Sequence, residues 1–530
     1  MNDAVGGSRA TIPAITAAAA VQFPHRTAIE DGTTRLTYAE LAEEARTFGA
    51  ALEASGVAPG DRVAVWAHNC AEWVVALLGL AAAGAVLVPI NTRFKGAEAA
   101  DILARSRARL LVTVTDFLGT DYVAMLGSTG IELPDLETVV VAHGPVPDGA
   151  VSWDGFLSRA TPSSRVVVDR RCSEVGPDDP SDILFTSGTT GVPKGVVMTH
   201  GRTLCVATDW VAMTGLSADD RYLMVNPYFH MFGLKAGILA CLASGATMLP
   251  EAVFDVDRIL ARVDEEQVTV LPGPPTLYRS ILDHAHRETY RLSTLRVAVT
   301  GAADIPVELV RRVLGELPFT TVITGYGLTE AGTAAATSPG DDPETIATTV
   351  GRPRPGFELR IVGDDGDAGV GVPGEVLLRG GSVMAGYLDD PEATEAALSS
   401  DGWLRTGDVG VVDGSGCLAI VGRVKDMFIV GGFNAYPAEI ENILARHPDV
   451  RQAAVIGIPD ERLGEVGMAF VVARTGTGPA DIIGWCRDQM ANYKVPRVVA
   501  LVDEIPVYAT GKVMKDVLRL QADAHRAGAG

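Results

Sequence analysis

The chain has 530 residues, 47% of them hydrophobic, and a formal net charge of −22 at pH 7. This length is too great for a single core, so two or more domains are expected, and the hydrophobic content excludes a largely disordered chain. The acidic balance argues against nucleic acid or an anionic membrane as a partner of the whole surface.

Strand and helix patterns alternate through the first 350 residues. Residues 36–56 predict an amphipathic helix, with Thr37 as its cap, Glu40 three residues further on and Gly56 near its end. Residues 62–66 predict a strand, and a helix follows from about residue 70. Further strands are predicted at 110–114, 138–142, 223–225, 246–249, 268–271, 296–300 and 320–323. This alternation is typical of a mostly parallel α/β architecture.

The pattern changes after about residue 350. Short alternating runs among Gly, Asp and Pro turns predict a small antiparallel sheet or barrel: FELRIV, GEVLLRG and GCLAIVG. From about residue 424 the chain predicts a helix in PAEIENILARH, strands in VRQAAVIGIPD and MAFVVAR, and a helix at 480–492. We therefore expect an α/β fold with a large N-terminal region, 1–423, made of two α/β subdomains plus a small β-barrel. A small mobile α+β C-terminal domain, 424–530, is expected to follow.

Targeting and cysteine patterns indicate a cytoplasmic location. The N-terminus has an early acidic residue and no compact apolar segment, unlike a secretory signal. Residues 73–90 form the one membrane-like stretch, but Gly84 and Pro89 divide it, which favours a helix followed by a buried strand. The six cysteines are scattered without a CxxC pair, so we expect reduced thiols rather than a disulfide framework or a zinc site.

Residues 185–195, FTSGTTGVPKG, are the most informative segment. Glycines let the backbone N–H groups turn inward, while the hydroxyls add donors and Lys194 adds a positive charge. Such a loop can wrap a polyphosphate, although a flexible surface loop is the alternative. It is not a Walker P-loop, because Pro193 is sixth from Gly188 and Gly195 follows Lys194. The candidate phosphate-binding residues are Thr186, Ser187, Gly188, Thr189, Thr190, Gly191 and Lys194.

Two further segments suit the walls of a ligand site. In NPYFHMFG, residues 226–233, aromatic side chains surround His230, which suits an apolar pocket, although a histidine of the core is the more common case. In VTGAADIP, residues 299–306, Ala302 and Ala303 would leave a flat ring room against the backbone. A tight turn between strand and helix accounts for the same residues.

A nucleotide and a metal ion fit two other motifs. In TGYGLTEAG, residues 324–332, Tyr326 between two glycines has room to stack on a base. Thr329 and Glu330 place a hydroxyl beside a carboxylate, which suits a phosphate oxygen and Mg²⁺. In GWLRTGD, residues 402–408, Asp408 could accept both hydroxyls of a ribose, and Arg423 could add a donor nearby. Taken alone, Asp408 is equally an aspartate of a turn.

The last motifs lie near the predicted domain boundary and the C-terminus. Lys425 stands at the boundary, GGFN follows at 431–434, and IPVYATGK at 505–512 ends in Lys512. A lysine on a mobile domain could swing into a site that holds a carboxylate and an α-phosphate. A solvated charge and a β-turn are the alternatives for Lys425 and the GGFN segment.

In order and spacing, from about residue 35 to 515, these motifs resemble the adenylate-forming superfamily, and within it the acyl-CoA synthetase branch that includes fatty-acid and 4-coumarate–CoA ligases. The resemblance implies an ATP-dependent acid–CoA ligase that forms an acyl-AMP, transfers the acyl group to coenzyme A and releases AMP and pyrophosphate. It implies that Tyr326 stacks on adenine, Thr329 contacts the α-phosphate, Thr186 and Glu330 hold Mg²⁺, and Lys512 is the essential lysine. Val507-Tyr508 depart from the family pattern before Lys512.

The resemblance also assigns the other positions. His230 would gate the carboxylate pocket, Lys425 would be the hinge of the domain rotation, and a channel for CoA would pass Gly431 and Gly432. The remaining positions are Ala302, Ala303, Thr324, Gly325, Gly327, Asp408 and Arg423 for ATP, and Met231, Phe232, Gly301, Ala331, Gly332 and Thr333 for the acid.

Three segments are similar to actinobacterial ligases that activate propionate side chains of partly degraded steroid rings: 235–247, 270–284 and 425–439. The expected substrate is a medium or bulky apolar carboxylic acid, either a fatty acid or a steroid-catabolic acid. Expected partners are this acid, ATP, Mg²⁺ and CoA, without nucleic acid or a transmembrane segment, and a homodimer is left open. One alternative is an acyl-AMP-forming enzyme that loads a separate acyl-carrier protein. A non-enzymatic descendant is less favoured, because Lys512, Glu330 and Asp408 are all present.

Overall fold

The computed structural model describes residues 10–186, 193–301, 307–363, 366–430, 433–460, 462–508 and 513–528. Within these ranges the strands are β1 (Thr27–Asp31), β2 (Thr34–Thr37), β3 (Arg62–Trp66), β4 (Val86–Pro89), β5 (Ala108–Val114), β6 (Thr138–His143), β7 (Val151–Ser152), β8 (Pro180–Thr186), β9 (Lys194–Thr199), β10 (Arg221–Met224), β11 (Thr247–Pro250), β12 (Val297–Gly301), β13 (Thr321–Leu328), β14 (Gly332–Ala336), β15 (Arg352–Pro353), β16 (Phe357–Gly363), β17 (Gly366–Asp367), β18 (Gly374–Gly380), β19 (Gly386–Tyr387), β20 (Leu404–Val412), β21 (Leu418–Arg423), β22 (Phe428–Val430), β23 (Phe433–Ala435), β24 (Val450–Asp460), β25 (Gly464–Ala473) and β26 (Val498–Leu501).

The helices occupy the connections between these strands. They are α1 (Ile12–Gln22), α2 (Tyr38–Ala54), α3 (Ala71–Ala82), α4 (Gly96–Ser106), α5 (Tyr122–Gly127), α6 (Trp153–Leu157), α7 (Pro162–Glu174), α8 (His200–Thr214), α9 (Met231–Gly233), a π-helix (Leu234–Leu239), α10 (Ala240–Ser244), α11 (Val256–Glu265), α12 (Pro275–Leu282), a 3₁₀ turn (Arg287–Thr289), α13 (Val307–Glu316), α14 (Pro343–Thr348), α15 (Pro391–Ala397), α16 (Pro437–Leu444), α17 (Pro479–Gln489) and α18 (Lys515–Gly528).

The first α/β unit is built on an eight-stranded sheet in the order β19-β9-β8-β4-β3-β5-β6-β7. The strands from β8 to β7 run parallel, whereas β9 and β19 are antiparallel to their neighbours. Helix α2 begins after a capping box, since the Thr37 hydroxyl accepts from the Glu40 amide at 3.2 Å and the Glu40 carboxylate accepts from the Thr37 amide at 2.8 Å. Because parallel strands end at one edge, the residues that follow β3, β6 and β8 lie along the same edge of this sheet.

The second α/β unit contains two four-stranded sheets, β10-β11-β1-β2 and β12-β13-β14-β15. Val270 links them through isolated bridges to Tyr222 and Val297. The strand predicted at 268–271 is present only as these bridges of Val270, beside which the amides of Thr269 and Leu271 donate to the carbonyls of Arg221 and Val297 at 2.9 and 3.0 Å. Pro272 follows immediately and has no N–H group to donate, whereas the Gly273 amide still donates to the Val299 carbonyl at 3.0 Å.

The antiparallel unit expected after residue 350 is present as a five-stranded sheet in the order β17-β16-β18-β20-β21. The runs FELRIV, GEVLLRG and GCLAIVG fall on β16, β18 and β21. Of the two forms considered, a sheet or a barrel, the described residues show the open sheet. Its edge strand β17 has two residues, Gly366–Asp367, which offer few groups for closing a barrel.

The C-terminal part has its own hydrophobic cluster. It includes Phe428, Ile440, Met468 and Leu518 and is formed entirely by residues after 427. The predicted helices and strands of this part appear as α16, β24, β25 and α17. The fold is thus a mixed α/β fold with a large N-terminal part and a smaller C-terminal part. No helix in the described part of the chain has the length and apolar character needed to cross a membrane.

Candidate active site

The predicted phosphate loop is framed by the β8–β9 hairpin. Thr186, the last residue of β8, pairs with Lys194, the first residue of β9. Arg105 supports one side of the hairpin, since it donates to the Pro193 carbonyl at 2.7 Å and its guanidinium lies 5.2 Å from the centroid of the Phe185 ring. The loop residues Ser187, Gly188, Thr189, Thr190 and Gly191 lie outside the described residues. The structure therefore places Thr186 and Lys194 opposite each other where the loop begins and ends.

Tyr387 connects this hairpin to Glu330. Its strand, β19, pairs with β9, and the Lys194 Nζ lies 4.9 Å from the centroid of the Tyr387 ring. The Tyr387 hydroxyl donates to Glu330 Oε1 at 3.1 Å. Burial, together with the neighbouring Glu330 carboxylate, raises the pKa of Tyr387, so the hydroxyl keeps the proton that it donates. The sequence analysis missed Tyr387, which is a short-strand tyrosine without a distinctive local pattern.

Glu330 lies in the turn between β13 and β14, as the motif TGYGLTEAG predicts. Its carbonyl accepts from the Met384 amide at 2.7 Å, and the Ser382 hydroxyl donates to the next carbonyl, that of Ala331, at 2.7 Å. Thr329 lies partly exposed in the same turn. Segment 382–387 therefore holds the turn by donating to the backbone carbonyls of Glu330 and Ala331, while Tyr387 orients the Glu330 carboxylate.

The predicted base-binding strand, β13, lies very close to β12 at its carboxyl end. Gly301 and Gly325 pair in parallel register, and a Cβ added to Gly301 would lie 2.7 Å from the Gly325 carbonyl oxygen. Thr324 and Gly327 are also on this strand. Gly301 is thus required by the spacing of the strands. Ala302 and Ala303 lie outside the described residues.

Tyr326, Asp408 and Arg423 form one connected group. The buried Tyr326 hydroxyl donates to Asp408 Oδ2 at 2.5 Å, and Arg423 Nε lies 2.7 Å from Asp408 Oδ1. Asp408 is 4% exposed and pairs with Arg423 across β20 and β21. Burial and the Asp408 carboxylate hold the pKa of Tyr326 well above its ordinary value. Three residues selected from separate motifs are therefore in direct contact.

The predicted wall of the acid pocket follows β10. His230 caps the short helix α9, and its Nδ1 accepts from the Phe232 amide at 3.2 Å. The Phe232 ring meets Trp210 edge to face with centroids 5.1 Å apart, and Met231 is buried. This packing fixes one side of the segment His230–Phe232 by contacts with α8.

Asn69, which the sequence analysis missed, holds the segment before His230. Its Nδ2 donates to the carbonyls of Met224 and Asn226 at 2.9 and 3.0 Å, and its Oδ1 accepts from the Tyr228 amide at 2.8 Å. An amide side chain that satisfies three backbone groups of one loop specifies the path of that loop. The NPYFH segment is therefore anchored to the first α/β unit.

A buried ion pair, also missed, joins the two sides of the site. Lys235 Nζ lies 3.0 Å from Asp182 Oδ1, and both side chains are almost fully buried. Asp182 belongs to β8, whereas Lys235 lies on the π-helix that follows His230. Ser181 and Thr203 donate to Asp182 Oδ2 at 2.7 and 2.6 Å. Burial lowers the pKa of Lys235, and the Asp182 carboxylate opposes that effect.

Gly332 has no room for a side chain. Its φ is +78°, and an added Cβ would lie 2.5 Å from Val206 Cγ2. From the sequence, a large residue at this position would be expected to shorten the acid pocket. In the structure it would strain the backbone and collide with α8. Of its neighbours, Ala331 is buried and Thr333 partly exposed.

We expect Gly332→Ala to lower the thermal unfolding temperature for two separable reasons. The left-handed backbone costs about 1–2 kcal/mol for a residue with a Cβ, and the contact with Val206 adds to that cost. Gly119→Ala is the matched control, because Gly119 has φ +73° and no atom within 4 Å of its added Cβ. Gly332→Ala should lower the midpoint more than Gly119→Ala, and a Val206→Ala background should remove the difference. Equal effects of the two alanines would contradict the collision.

The remaining predicted residues lie at or beyond the C-terminal part. Lys425 is exposed in the turn between β21 and β22, where the Val424 amide donates to the Gly407 carbonyl at 2.9 Å. Asp426 in the same turn forms an ion pair with Arg519 at 3.2 Å. Lys512, Gly431 and Gly432 lie outside the described residues.

Comparisons with known proteins identify the family of the chain. The AMP-binding enzyme family matches residues 16–388, and the AMP-binding enzyme C-terminal domain matches residues 439–512. The chain belongs to the AMP-binding enzyme family.

Relatives and solved structures extend the match over nearly the whole chain. The "3-[(3aS,4S,7aS)-7a-methyl-1,5-dioxo-octahydro-1H-inden-4-yl]propanoyl:CoA ligase" of Rhodococcus jostii (strain RHA1) is 50% identical over 514 residues, 96% of this chain and 98% of that protein. The ligase of the same name from Mycobacterium tuberculosis (strain ATCC 25618 / H37Rv) is 50% identical over 512 residues, with the same coverage. The crystal structure of the anthranilate CoA ligase AuaEII with anthranoyl-AMP superposes with a TM-score of 0.88 at 29% identity, covering 99% of this chain and 100% of that chain.

These comparisons confirm the predicted family and the predicted reaction class, ATP-dependent acid–CoA ligation through an acyl-AMP. They do not favour transfer to a separate carrier protein. The role of each site residue and the boundary at residue 423 stay predictions.

Proposed function

We propose that this protein converts a bulky fused-ring propionic acid, of the kind left by partial degradation of a steroid, into its CoA thioester in the cytoplasm. The observation that carries the proposal is the 50% identity to two propanoyl:CoA ligases along 96% of the chain. The reaction joins the acid to AMP with release of pyrophosphate, and the CoA thiol then displaces AMP.

ATP is proposed to lie between the β8–β9 hairpin and β13. Lys194 and the loop after Thr186 would offset phosphate charge, and Asp408 would accept the ribose hydroxyls. Asp408 Oδ2 accepts one hydrogen bond and Oδ1 forms the ion pair with Arg423, which leaves acceptor capacity, since an ionised carboxylate offers about four acceptor positions. Tyr326 shares this group and would meet the base with its ring.

The groups around Glu330 fit a magnesium ion. Mg²⁺ prefers oxygen ligands and is usually held by one or two carboxylates plus substrate phosphates. Glu330 supplies a carboxylate that Tyr387 orients through one oxygen, and Thr186 supplies a hydroxyl near Lys194. When bound, the ion would neutralise charge that develops on the phosphates.

The proposed division into residues 1–423 and 424–530 gives the two half-reactions separate places. The C-terminal cluster that contains Phe428 and Leu518 supports a unit with its own core. Lys425 lies in the exposed turn between the two parts, as a hinge requires. In this scheme the C-terminal unit brings Lys512 to the acid for adenylation, and later brings the channel at Gly431 and Gly432 for CoA.

A panel of acids tests the proposal. We expect AMP release that requires CoA, with a fused-ring propionate preferred over octanoate and acetate. The measurement is the rate of AMP formation at equal acid concentrations, with an acyl-carrier protein in place of CoA as the alternative acceptor. Acetate as the best acid would contradict the substrate class, and turnover with the carrier alone would contradict the ligase assignment.

We expect Tyr387→Phe to raise the Mg²⁺ concentration needed for half-maximal pyrophosphate exchange by about tenfold. A hydrogen bond to a charged group contributes about 1.5–3 kcal/mol, and the variant loses the one that orients Glu330. Tyr122→Phe is the matched control, because its hydroxyl donates to the Thr92 carbonyl at 2.7 Å, away from the predicted site. An unchanged Mg²⁺ dependence in Tyr387→Phe would remove Tyr387 from the metal assignment.

A further inference from the structure

A group of nitrogen and sulfur ligands lies at the carboxyl edge of the first sheet. One ligand atom from each of His68, Cys70 and His143 lies within 4.8 Å of the other two. His68 and Cys70 follow β3 and precede α3, whereas His143 ends β6. None of these residues belongs to the predicted ATP or acid sites.

We propose that His68, Cys70 and His143 bind a zinc ion. Thiolate and imidazole are the ligands that favour Zn²⁺ over Mg²⁺ or Ca²⁺. Zinc lies about 2.0–2.3 Å from such ligands, so tetrahedral neighbours are roughly 3.3–3.8 Å apart. The three ligand atoms now lie within 4.8 Å of one another, so binding would draw them together by about 1 Å, and the fourth position would be left to water.

Surrounding groups already orient two of the ligands. His143 Nε2 lies 2.9 Å from Glu72 Oε2, the arrangement by which a carboxylate fixes the ring of a metal-bound histidine. The His68 ring stacks on Phe117, with centroids 4.5 Å apart and planes inclined by 11°. Both rings are therefore held beside the cysteine without a metal.

His68 also has an unused ligand atom. Its Nδ1 is shielded from solvent and has no hydrogen-bond partner among the described residues. A buried polar atom without a partner is costly, and a bound ion would satisfy it. The His143 side chain is 37% exposed, which leaves an entry path from solvent.

The position of the group suggests what the ion would stabilise. Asn69 stands between His68 and Cys70 and makes the three hydrogen bonds that hold segment 224–228. An ion bound by His68 and Cys70, the two neighbours of Asn69, would restrain the backbone that carries Asn69. We therefore assign the site a structural role for the wall that leads to His230.

The sequence concealed this group because the spacing is not that of a zinc motif. His68 and Cys70 are two residues apart, but His143 lies far along the chain. It comes close to them only because the sheet has the strand order β3-β5-β6. The expectation of no zinc site was based on the absence of a CxxC pair.

Cobalt titration of the full-length protein, without a histidine tag and after treatment with a chelator and a phosphine reductant, tests the proposal. We expect one Co²⁺ per chain, a thiolate-to-cobalt charge-transfer band and the visible bands of a tetrahedral ion, all lost when Zn²⁺ is added. Zn²⁺ should also raise the thermal unfolding midpoint, because an ion that binds only the folded state stabilises it. No charge-transfer band in the native protein would overturn the proposal.

Variants assign the ligands. Cys70→Ser should abolish the thiolate band, His143→Gln should abolish tight binding, and Glu72→Gln should weaken it by about 10–100-fold. Cys172→Ser and His284→Ala are the matched controls and should bind cobalt as the native protein does. If Cys70→Ser does not fold, as judged by circular dichroism, the assignment is tested by His143→Gln, since the His143 side chain is partly exposed. A band that persists in Cys70→Ser, or native affinity in His143→Gln, would overturn the assignment.

Discussion

Lys512→Ala should slow acyl-AMP formation by about 10²–10³-fold while leaving the second half-reaction nearly intact. The lysine is proposed to neutralise charge between the attacking carboxylate and the α-phosphate, and loss of one such electrostatic group typically has an effect of this size. The measurement is pyrophosphate exchange for the first step, beside thioester formation from synthetic acyl-AMP and CoA for the second.

Lys425→Pro should leave acyl-AMP formation nearly intact and slow thioester formation from acyl-AMP and CoA. Proline fixes φ and restricts the residue before it, so the turn at 424–426 could no longer change conformation freely. Lys425→Ala is the matched control, because it removes the same charge and leaves the backbone free. If the proline and alanine variants behave alike, the charge and not the turn is responsible. Equal loss of both half-reactions in Lys512→Ala and in Lys425→Pro would contradict the domain rotation.

Local patterns predicted much of the fold. Thr37 and Glu40 specify a capping box within a stretch of four residues, and helix α2 begins where this motif predicts. Strand β3 is likewise visible in the run RVAVW. The short extent of the pairing at 268–271 has a local cause as well: β-branched residues suggest a strand, but Pro272 lacks the donor that would extend the pairing on one side.

Candidate residues could be selected from the sequence where one segment carries the chemistry, and were missed where contacts join distant segments. Thr186, Lys194 and Glu330 stand in distinctive motifs. Tyr387 and Asn69 do not, because their role comes from strand pairing and packing across the chain. The hydrogen bond between Tyr387 and Glu330 spans 57 residues, and the bonds from Asn69 to the 224–228 segment span more than 150.

The group of Tyr326, Asp408 and Arg423 shows how residues of separate motifs come into contact in the fold. The sequence assigned a base, a ribose and an additional donor to these residues individually. The structure shows that the carboxylate of Asp408 holds the other two, so a change at Asp408 affects both neighbours. The contribution of Asp408 to ATP binding must therefore be measured beside a variant that changes Tyr326 alone.

Asp408→Asn should raise the KM for ATP by about 10²-fold. If Asp408 accepts the ribose hydroxyls, the variant loses hydrogen bonds to a charged group that contribute about 1.5–3 kcal/mol each, and each 1.4 kcal/mol is a factor of ten. The more specific expectation concerns the ribose. If Asp408 accepts its hydroxyls, the native enzyme should prefer ATP to 2′-deoxy-ATP by roughly 10–100-fold, the value of a hydrogen bond to a charged group.

Tyr326→Phe separates the ribose contact from the packing around it. This variant keeps the ring and the ion pair between Asp408 and Arg423, so its KM for ATP should change by no more than about tenfold. It should also retain the preference for ATP over 2′-deoxy-ATP, whereas Asp408→Asn should lose most of that preference. Both are measured by pyrophosphate exchange at varied nucleotide, with thermal unfolding as the test of folding. A native preference ratio in a folded Asp408→Asn enzyme would contradict the ribose assignment, because asparagine is uncharged and offers one acceptor oxygen where the carboxylate offers two.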